Sequence, residues 1–260
     1  MLPRLLVMAA LCAGSTAMAD TVPAIFDVGP RALVVAITDG DTVTLDDGSE
    51  VRLVGIMAPK LSLGRAHVED QPLAEEARTA LEALVLDRPV TLAWGGARMD
   101  RHGRHLAHLF LDDGTWVQGR MLEAGLARVY SFADNRTALA DMLALEEAAR
   151  DAGLGLWAHP FFAVRDAARP GDVPIDAFVL VEGVVLDTAE INRRVFLNFG
   201  EDWKTDVTAT ISPSDRAIFR AAHMDPLALE GQRVRLRGWT GWRNGPNIDI
   251  DHPEQIEVLD

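Results

Sequence analysis

The chain of 260 residues has one cysteine, one tyrosine and only two lysines. Each scarcity excludes something. Cys12 has no second cysteine to pair with, so a disulfide framework and a cysteine-based zinc site are both ruled out, and stability must come from a buried core. With 25 basic against 39 acidic residues the formal charge is −14. That is the wrong sign for coating nucleic acid by charge alone, because phosphate contact needs concentrated Lys and Arg. A local basic cleft survives the argument. The lysines are confined to Lys60 and Lys204, so arginine carries nearly all the positive charge. Long apolar runs are missing too: Leu5 to Thr16 is too short for a membrane anchor and no stop-transfer segment follows it. His223, His252 and the other histidines lack metal-ligand spacing. No short-period repeat is present.

What is there points to an exported globular protein. An apolar fraction of 48% excludes a disordered chain, and the length suits one large domain or two small ones. Met1 to Arg4 is a basic n-region, and Ala17-Met18-Ala19 is an A-x-A cleavage site. Residues 1–19 are therefore expected to be a signal peptide cut after Ala19, giving a periplasmic or secreted protein without a transmembrane anchor. Lipidation at Cys12 is disfavoured by the bulk of Leu11. The mature chain would carry 24 basic and 39 acidic residues, hence −15, and no cysteine.

After a lead-in over 20–30, short apolar runs at Ala32 to Ile37, Thr42 to Leu45 and Val51 to Ile56 predict strands. They are joined by tight turns, one of them Asp46-Asp47-Gly48. A helix is expected over Pro72 to Leu86, with Glu75 and Glu76 in its first turn. Strands near Val90 to Trp94 and Leu106 to Leu111 follow, then a helix over Val117 to Glu123, an extended Leu126 to Tyr130, and a helix over Arg136 to Asp151 capped at Asp134 or Asn135. Residues 161–174 read as a linker. Beyond them, strands near Phe178 to Leu186, Val195 to Phe199, Asp206 to Ile211, Val234 to Trp239 and Asn247 to Asp251, with a helix over Pro213 to Ala222, have the β-β-β-α-β-β order of an OB barrel.

Three segments carry the chemistry: Thr38-Asp39-Gly40-Asp41-Thr42, Val51-Arg52-Leu53-Val54-Gly55-Ile56-Met57-Ala58-Pro59-Lys60, and Asp100-Arg101-His102-Gly103-Arg104. Gly125 to Tyr130 and Leu154-Gly155-Leu156-Trp157 follow in the same order. Over 31–160 this succession resembles the staphylococcal nuclease (thermonuclease) family. The resemblance implies a mainly β fold with helices, an OB-type barrel, followed here by a second small OB-like barrel at 175–260. It also implies a calcium ion and two arginines gripping a phosphodiester while a glutamate helps water attack phosphorus. Cations neutralise the transition state and a base orients the nucleophile. Carried over, Asp41 matches a calcium-binding aspartate and Ala58 a backbone-carbonyl ligand. Arg52 and Arg104 match the phosphate clamp, a role suited to bidentate guanidinium contact. Arg101, His102 and Tyr130 match nucleotide-contacting stretches.

Two positions depart from that pattern. Met57 stands at a second metal-binding aspartate, and Lys60 stands at the general-base glutamate. Calcium wants six to eight oxygen ligands, several charged. Three carboxylates with two arginines carry net −1, whereas Asp41 with Arg52, Arg104 and Lys60 carries net +2. The expectation is a degraded catalytic site: no cofactor required, calcium weak at a residual Asp41, and a phosphate-containing ligand or nucleic acid bound by Arg52, Lys60, Arg101, His102, Arg104 and Tyr130 with weak or no hydrolysis. Losing one electrostatic group alone often costs ~10²–10³ in rate. One alternative is an active phosphodiesterase using another metal or relocated acids among Glu69, Asp70, Glu75 and Glu76. The other is an envelope interaction module docking a partner protein through 175–260.

In the second half, 11 basic and 17 acidic residues leave 161–260 at −6. Arg233, Arg235 and Arg237 alternate and would share a strand face as a basic stripe. Among Phe196, Phe199, Trp203, Trp239 and Trp242, aromatics on an OB face offer a platform for bases. Phe196 and Trp239 lie within predicted strands, where core packing is the expected role.

Overall fold

A computed structural model describes residues 22–260. The expected signal peptide and Cys12 lie outside the described residues. The first unit contains β1 (Asp27–Asp39), β2 (Thr42–Leu45), β3 (Glu50–Leu53), β4 (Gly55–Met57), α1 (Ala74–Val85), β5 (Pro89–Trp94), β6 (His105–Leu111), α2 (Val117–Glu123), β7 (Arg128–Tyr130) and α3 (Leu139–Asp151). Strands β1-β2-β3-β6-β5 close into a barrel, and β4 pairs with β7 beside it. One long strand can serve two neighbours because β1 is bulged. Its register slips between Val28 and Arg31, Val34 and Ala36, and Ile37 and Asp39, so its first half pairs with β5 and its second with β2. The strand starts at Asp27, inside the stretch read as a lead-in, and Val22 and Phe26 are buried against Ala93 and Phe110.

Both long helices begin later than the sequence pattern predicts. Leu73 and Ala138 sit at left-handed φ of 61° immediately before α1 and α3. Neither Asp134 nor Asn135 caps α3, because the helix begins only at Leu139, after Ala138; the Asn135 side-chain amide donates to Ala97 O. The barrel core is filled by Val34, Val51, Leu53, Leu81, Leu109 and their neighbours, sealed by α1, α2 and α3.

The second unit has β8 (Arg165–Asp166), β9 (Phe178–Val184), β10 (Asp187–Ile191), β11 (Arg194–Asn198), β12 (Thr208–Ile211), α4 (Arg216–Ala221), β13 (Arg233–Trp242), β14 (Pro246–Ile250) and β15 (Ile256–Leu259). It forms one curled sheet in the order β10-β11-β12-β14-β13-β9-β8, with β15 also on β13. Eight strands replace the expected five. The additions are β8, β10 and β15, short or polar elements with no periodic apolar signal. The whole is mainly β, a closed five-stranded barrel followed by a second curled sheet, as the OB-like reading requires. Among the described residues no helix is long and apolar enough to cross a membrane.

The two units share a polar seam. Arg237 on β13 is buried, donating to Glu146 on α3 at 2.7 Å and also to Glu257 on β15. Ser131, just after β7, is 2.8 Å from His252 Nε2, and the other ring nitrogen of His252 meets Asp251. Arg136 forms a bidentate pair with Glu254. Burial of charge is tolerated here because each group has an opposite partner.

Candidate active-site cleft

Asp41 lies in the short turn between β1 and β2, where the chain reverses and its carboxylate points inward. Oδ2 accepts from Ala58 N at 2.8 Å, and Oδ1 faces the Thr42 hydroxyl at 3.3 Å and Arg52 Nη1 at 3.0 Å. Burial pushes its pKa up to about 7; Arg52 opposes that rise, and Asp39 adds to it. Asp39 itself is occupied, its Oδ1 accepting from Asp41 N at 3.1 Å.

Arg52 is on β3 with its side chain 14% exposed. Its guanidinium donates to the carbonyls of Leu53 at 3.0 Å, Ile56 at 2.8 Å and Asp41 at 3.3 Å. Those carbonyls hold the fork in place beneath β4. Lys60 follows β4 at the mouth of the 60–71 loop, which is closed by Lys60 N to Gln71 Oε1 and Gln71 N to Lys60 O. Partial burial lowers the Lys60 ammonium, Asp41 opposes that shift, and Arg52, Arg65 and Arg128 add to it. Asp41, Arg52 and Lys60 are thus neighbours, with two further arginines close enough to be felt. Asp41 is paired with Arg52, and Arg52, Arg65 and Arg128 add positive charge around Lys60.

Arg104 stands apart. Its Nε and Nη2 grip Asp100 Oδ2 at 2.8 and 2.7 Å within the 100–104 turn, and among the described residues no hydrogen bond or ion pair joins it to Asp41, Arg52 or Lys60. Arg101 and His102 are exposed on that turn and touch each other at 3.1 Å. Relocated acids do not gather at the cleft either. Asp70 accepts from Ser62 N, Glu75 is paired with Arg78, and Glu69 and Glu76 are exposed.

Sequence reasoning had no signal for the cover. Met57 is 5% exposed because Phe178 and Leu180 of β9 pack directly on it. Arg128, across the ladder from Met57, donates to Phe178 O at 2.9 Å and lies over the Phe178 ring. Burial draws the Arg128 guanidinium down to about 10, against the pull of Glu146 and with the push of Arg237. Tyr130 meets Phe178 edge-on at 5.2 Å and Phe132 at 4.8 Å, and its hydroxyl accepts from Trp239 Nε1 at 3.2 Å. Lys60 Nζ lies 4.9 Å from the Trp239 ring centroid. The second unit therefore forms one wall of the cleft. Trp239 is at its lip and 42% exposed, contrary to the core role expected for it, while Phe196 is half-buried.

The arginines expected as a basic stripe are consumed elsewhere. Arg233 and Arg235 pair with Glu182, Arg235 with Glu257, and Arg237 with Glu146 and Glu257. Cross-strand register places Arg235 opposite Glu182 on one side and Glu257 on the other, so the stripe is neutralised by its neighbours.

The residues present do not fit calcium. Both Asp41 oxygens already have partners, Met57 offers a covered thioether, and Lys60 brings a positive charge. Among the described residues no group of three or more His, Cys, Asp or Glu side chains is arranged to hold a metal ion.

The family model described as staphylococcal nuclease homologue matches residues 50–159. Protein ParB of Escherichia coli is 33% identical over 141 residues, covering 50% of this chain and 73% of that protein. An uncharacterized endonuclease of Escherichia coli O157:H7 is 31% identical over 127 residues, covering 48% and 74%. The thermonuclease of Staphylococcus intermedius is 30% identical over 110 residues, covering 41% and 64%. About half of this chain or less takes part in each match.

Proposed function

The chain belongs to the staphylococcal nuclease homologue family, and from that premise we propose that it is a nuclease-like protein whose cleft holds phosphate without calcium-dependent hydrolysis. One observation carries this reading: Met57 and Lys60, which would have to supply a metal ligand and a base, are engaged by the second unit through Phe178, Leu180 and Trp239. A thioether packed against a phenyl ring cannot coordinate a hard cation, and an ammonium cannot accept a proton from water. The positive charge gathered around Lys60 supports an anion as ligand. A phosphate would bring to Lys60 and Arg65 the negative charge that Arg52 already has from Asp41, with Arg101 and His102 exposed on the neighbouring turn and Arg104 held there by Asp100. Nucleic acid is the phosphate polymer that the family suggests. In this reading the protein works outside the cytoplasm after removal of residues 1–19.

A nuclease assay with and without calcium tests the proposal, run beside the Met57→Asp/Lys60→Glu double variant. The unmutated protein should show no calcium-dependent cleavage, and robust cleavage would overturn the reading. Calorimetry with a nucleotide bisphosphate in EDTA should register binding that Lys60→Ala weakens; unchanged affinity would remove Lys60 from the site. A second reading, an interaction module for an envelope protein, draws on a groove of about 610 Å³ on the second unit, lined by Val164, Ala167, Val184, Leu186 and Phe199. Export of the tagged protein followed by crosslinking would test it, with Leu186→Asp expected to abolish the crosslinked species.

A further inference from the structure

The second unit carries a row of side-chain oxygens on the face of its sheet turned away from the core. Register places Asn198 of β11 beside Thr208 of β12, and Thr208 beside Asn247 of β14. Their chain neighbours Leu197, Ala209 and Ile248 fill the core, so the three polar side chains lie together on the opposite face. They are buried all the same: Asn198 is 9% exposed, Thr208 5% and Asn247 4%. The loop before β12 adds a carboxylate to the row. Asp206 is pinned there because its Oδ2 accepts from Phe199 N and Gly200 N, and its Oδ1 lies 3.0 Å from Thr208 Oγ1. The β13–β14 turn presses on the same loop, since a Cβ built on Gly245 would fall 2.2 Å from Asp206 O.

Proton donors are short in this row. Asp187 of β10 accepts from Asn198 Nδ2 at 3.2 Å, and Asp249 accepts from Asn247 Nδ2 at 3.3 Å. A carboxylate can only accept, so each one holds the amide nitrogen toward itself and turns the carbonyl oxygen away. Asn198 Oδ1 then faces Thr208 Oγ1 at 3.5 Å, the same hydroxyl that meets Asp206. One hydroxyl proton cannot serve both, and the charged acceptor takes it. Asn247 Oδ1 is buried with no hydrogen-bond partner at all. Charge is unmatched as well. Among the described residues the ion pairs of this sheet, Arg216 with Glu190 and Arg243 with Asp249, include neither Asp187 nor Asp206.

We propose that Asp206 Oδ1, Thr208 Oγ1, Asn198 Oδ1 and Asn247 Oδ1 form a site for a hard divalent cation of calcium's size. It lies on the second unit, apart from the Asp41 cleft, and does not depend on the phosphate reading of that cleft. Every ligand atom is an oxygen, the choice of a hard ion; a bridging water would serve the amide oxygens but leave the negative charge uncancelled. Adjacent strands are about 4.7–4.9 Å apart, close to twice a calcium–oxygen distance of about 2.3–2.6 Å. An ion between two strands therefore reaches oxygens from both without moving the backbone. Magnesium, at about 2.0–2.1 Å and strictly octahedral, fits that spacing worse. Asp187 and Asp249 touch the amides rather than the ion and are positioning residues. With one carboxylate among the ligands, affinity belongs at the weak end, a Kd of about 0.1–1 mM.

The test is calorimetric titration of calcium into the whole chain after EDTA treatment and dialysis, with Tm followed in parallel. Binding in that range should raise Tm by about 3–10 °C at about 10 mM calcium, with magnesium at least about tenfold weaker. Asn247→Ala should weaken calcium binding about tenfold while leaving the metal-free Tm within about 2 °C, since the oxygen it removes has no donor. Asp187→Asn should weaken binding about tenfold through the amide it positions. Glu201→Gln, exposed in the Asp206 loop, should leave binding intact. Equal losses in Glu201→Gln and Asn247→Ala would reduce the effect to diffuse loop charge and overturn the site. No binding up to about 10 mM calcium overturns it too, and leaves the phosphate reading of the cleft standing. Binding that survives Asn247→Ala but is lost in Asp41→Asn would place calcium in the cleft, overturning this site and the calcium-free reading together.

Discussion

Two clusters of arginine and carboxylate lie within the same fold and differ in their balance. At the seam, Arg237 is shared by Glu146 and Glu257, Arg235 by Glu257 and Glu182, and Glu146 additionally accepts from Val129 N at 2.8 Å. Charges alternate, and each carboxylate touches at least one guanidinium. At the cleft, Asp41 pairs with Arg52 at 3.0 Å beside Asp39, while Arg52, Arg65 and Arg128 add positive charge around Lys60. A matched buried network fixes how two elements dock, because removing one member strands another. An unmatched one contributes little to stability and leaves positive potential for a ligand. Buried charge on its own does not mark a functional site; its imbalance does.

That contrast can be broken by substitution. Glu146→Gln should have the largest effect, costing about 3–5 kcal/mol in denaturant unfolding, since Arg237 would remain buried with half its partners. A loss below 1 kcal/mol would mean that the seam is not held by charge. Met57→Ala should cost about 2–3 kcal/mol by emptying the contact with Phe178 and Leu180, measured in the same way.

His108 supplies a third condition, an ionisable group buried with no opposite charge. It packs on Phe26, its Nδ1 accepts from Trp116 Nε1, and burial pushes its pKa down to about 3 from 6.5. The folded value is depressed, so the stability from keeping it neutral is fully present above about 6.5 and is lost as pH falls toward 3. At pH 4.5 that loss is about 2–3 kcal/mol. The destabilisation caused by His108→Asn, compared at pH 7.5 and pH 4.5, should shrink by that amount; an unchanged difference would show that His108 charges freely in the fold.

Smaller effects complete the comparison. Arg104→Ala removes a partly exposed pair with Asp100 and should cost under about 1 kcal/mol. Lys60→Ala should change stability least, within about 0.5 kcal/mol, while weakening bisphosphate binding. An equally small binding effect would place the cleft with the seam, as structure alone.

Much of the first unit was legible because its signals are local. The Asp46-Asp47-Gly48 turn closes through Gly48 N to Leu45 O with Gly48 at φ 83°, a conformation glycine adopts without a Cβ clash. Asp41 and Arg52 lie close together in sequence on adjoining strands, and they meet as an ion pair at 3.0 Å. Arg104 was harder, since the local turn beginning at Asp100 captures its guanidinium. β10 and β15 left no trace: Asp187–Ile191 is a polar edge with both faces partly wet, and Ile256–Leu259 is four residues long. The start of β1 was hidden by Gly29 and Pro30, which read as a break but sit in the bulged stretch.

By itself the sequence determined the family and the closed barrel, because motif order and turn residues are properties of the chain. Only the tertiary structure decided what surrounds Met57, Lys60 and the arginines of β13. Met57 became an interdomain packing residue, Lys60 met Trp239, and three arginines spaced as a basic stripe were neutralised by Glu182, Glu257 and Glu146. Partners about 20 to 180 residues apart leave no pattern in a linear sequence. They meet when β9 and β13 dock on β4, β7 and α3, and that docking determines which charges are cancelled and which remain for a ligand.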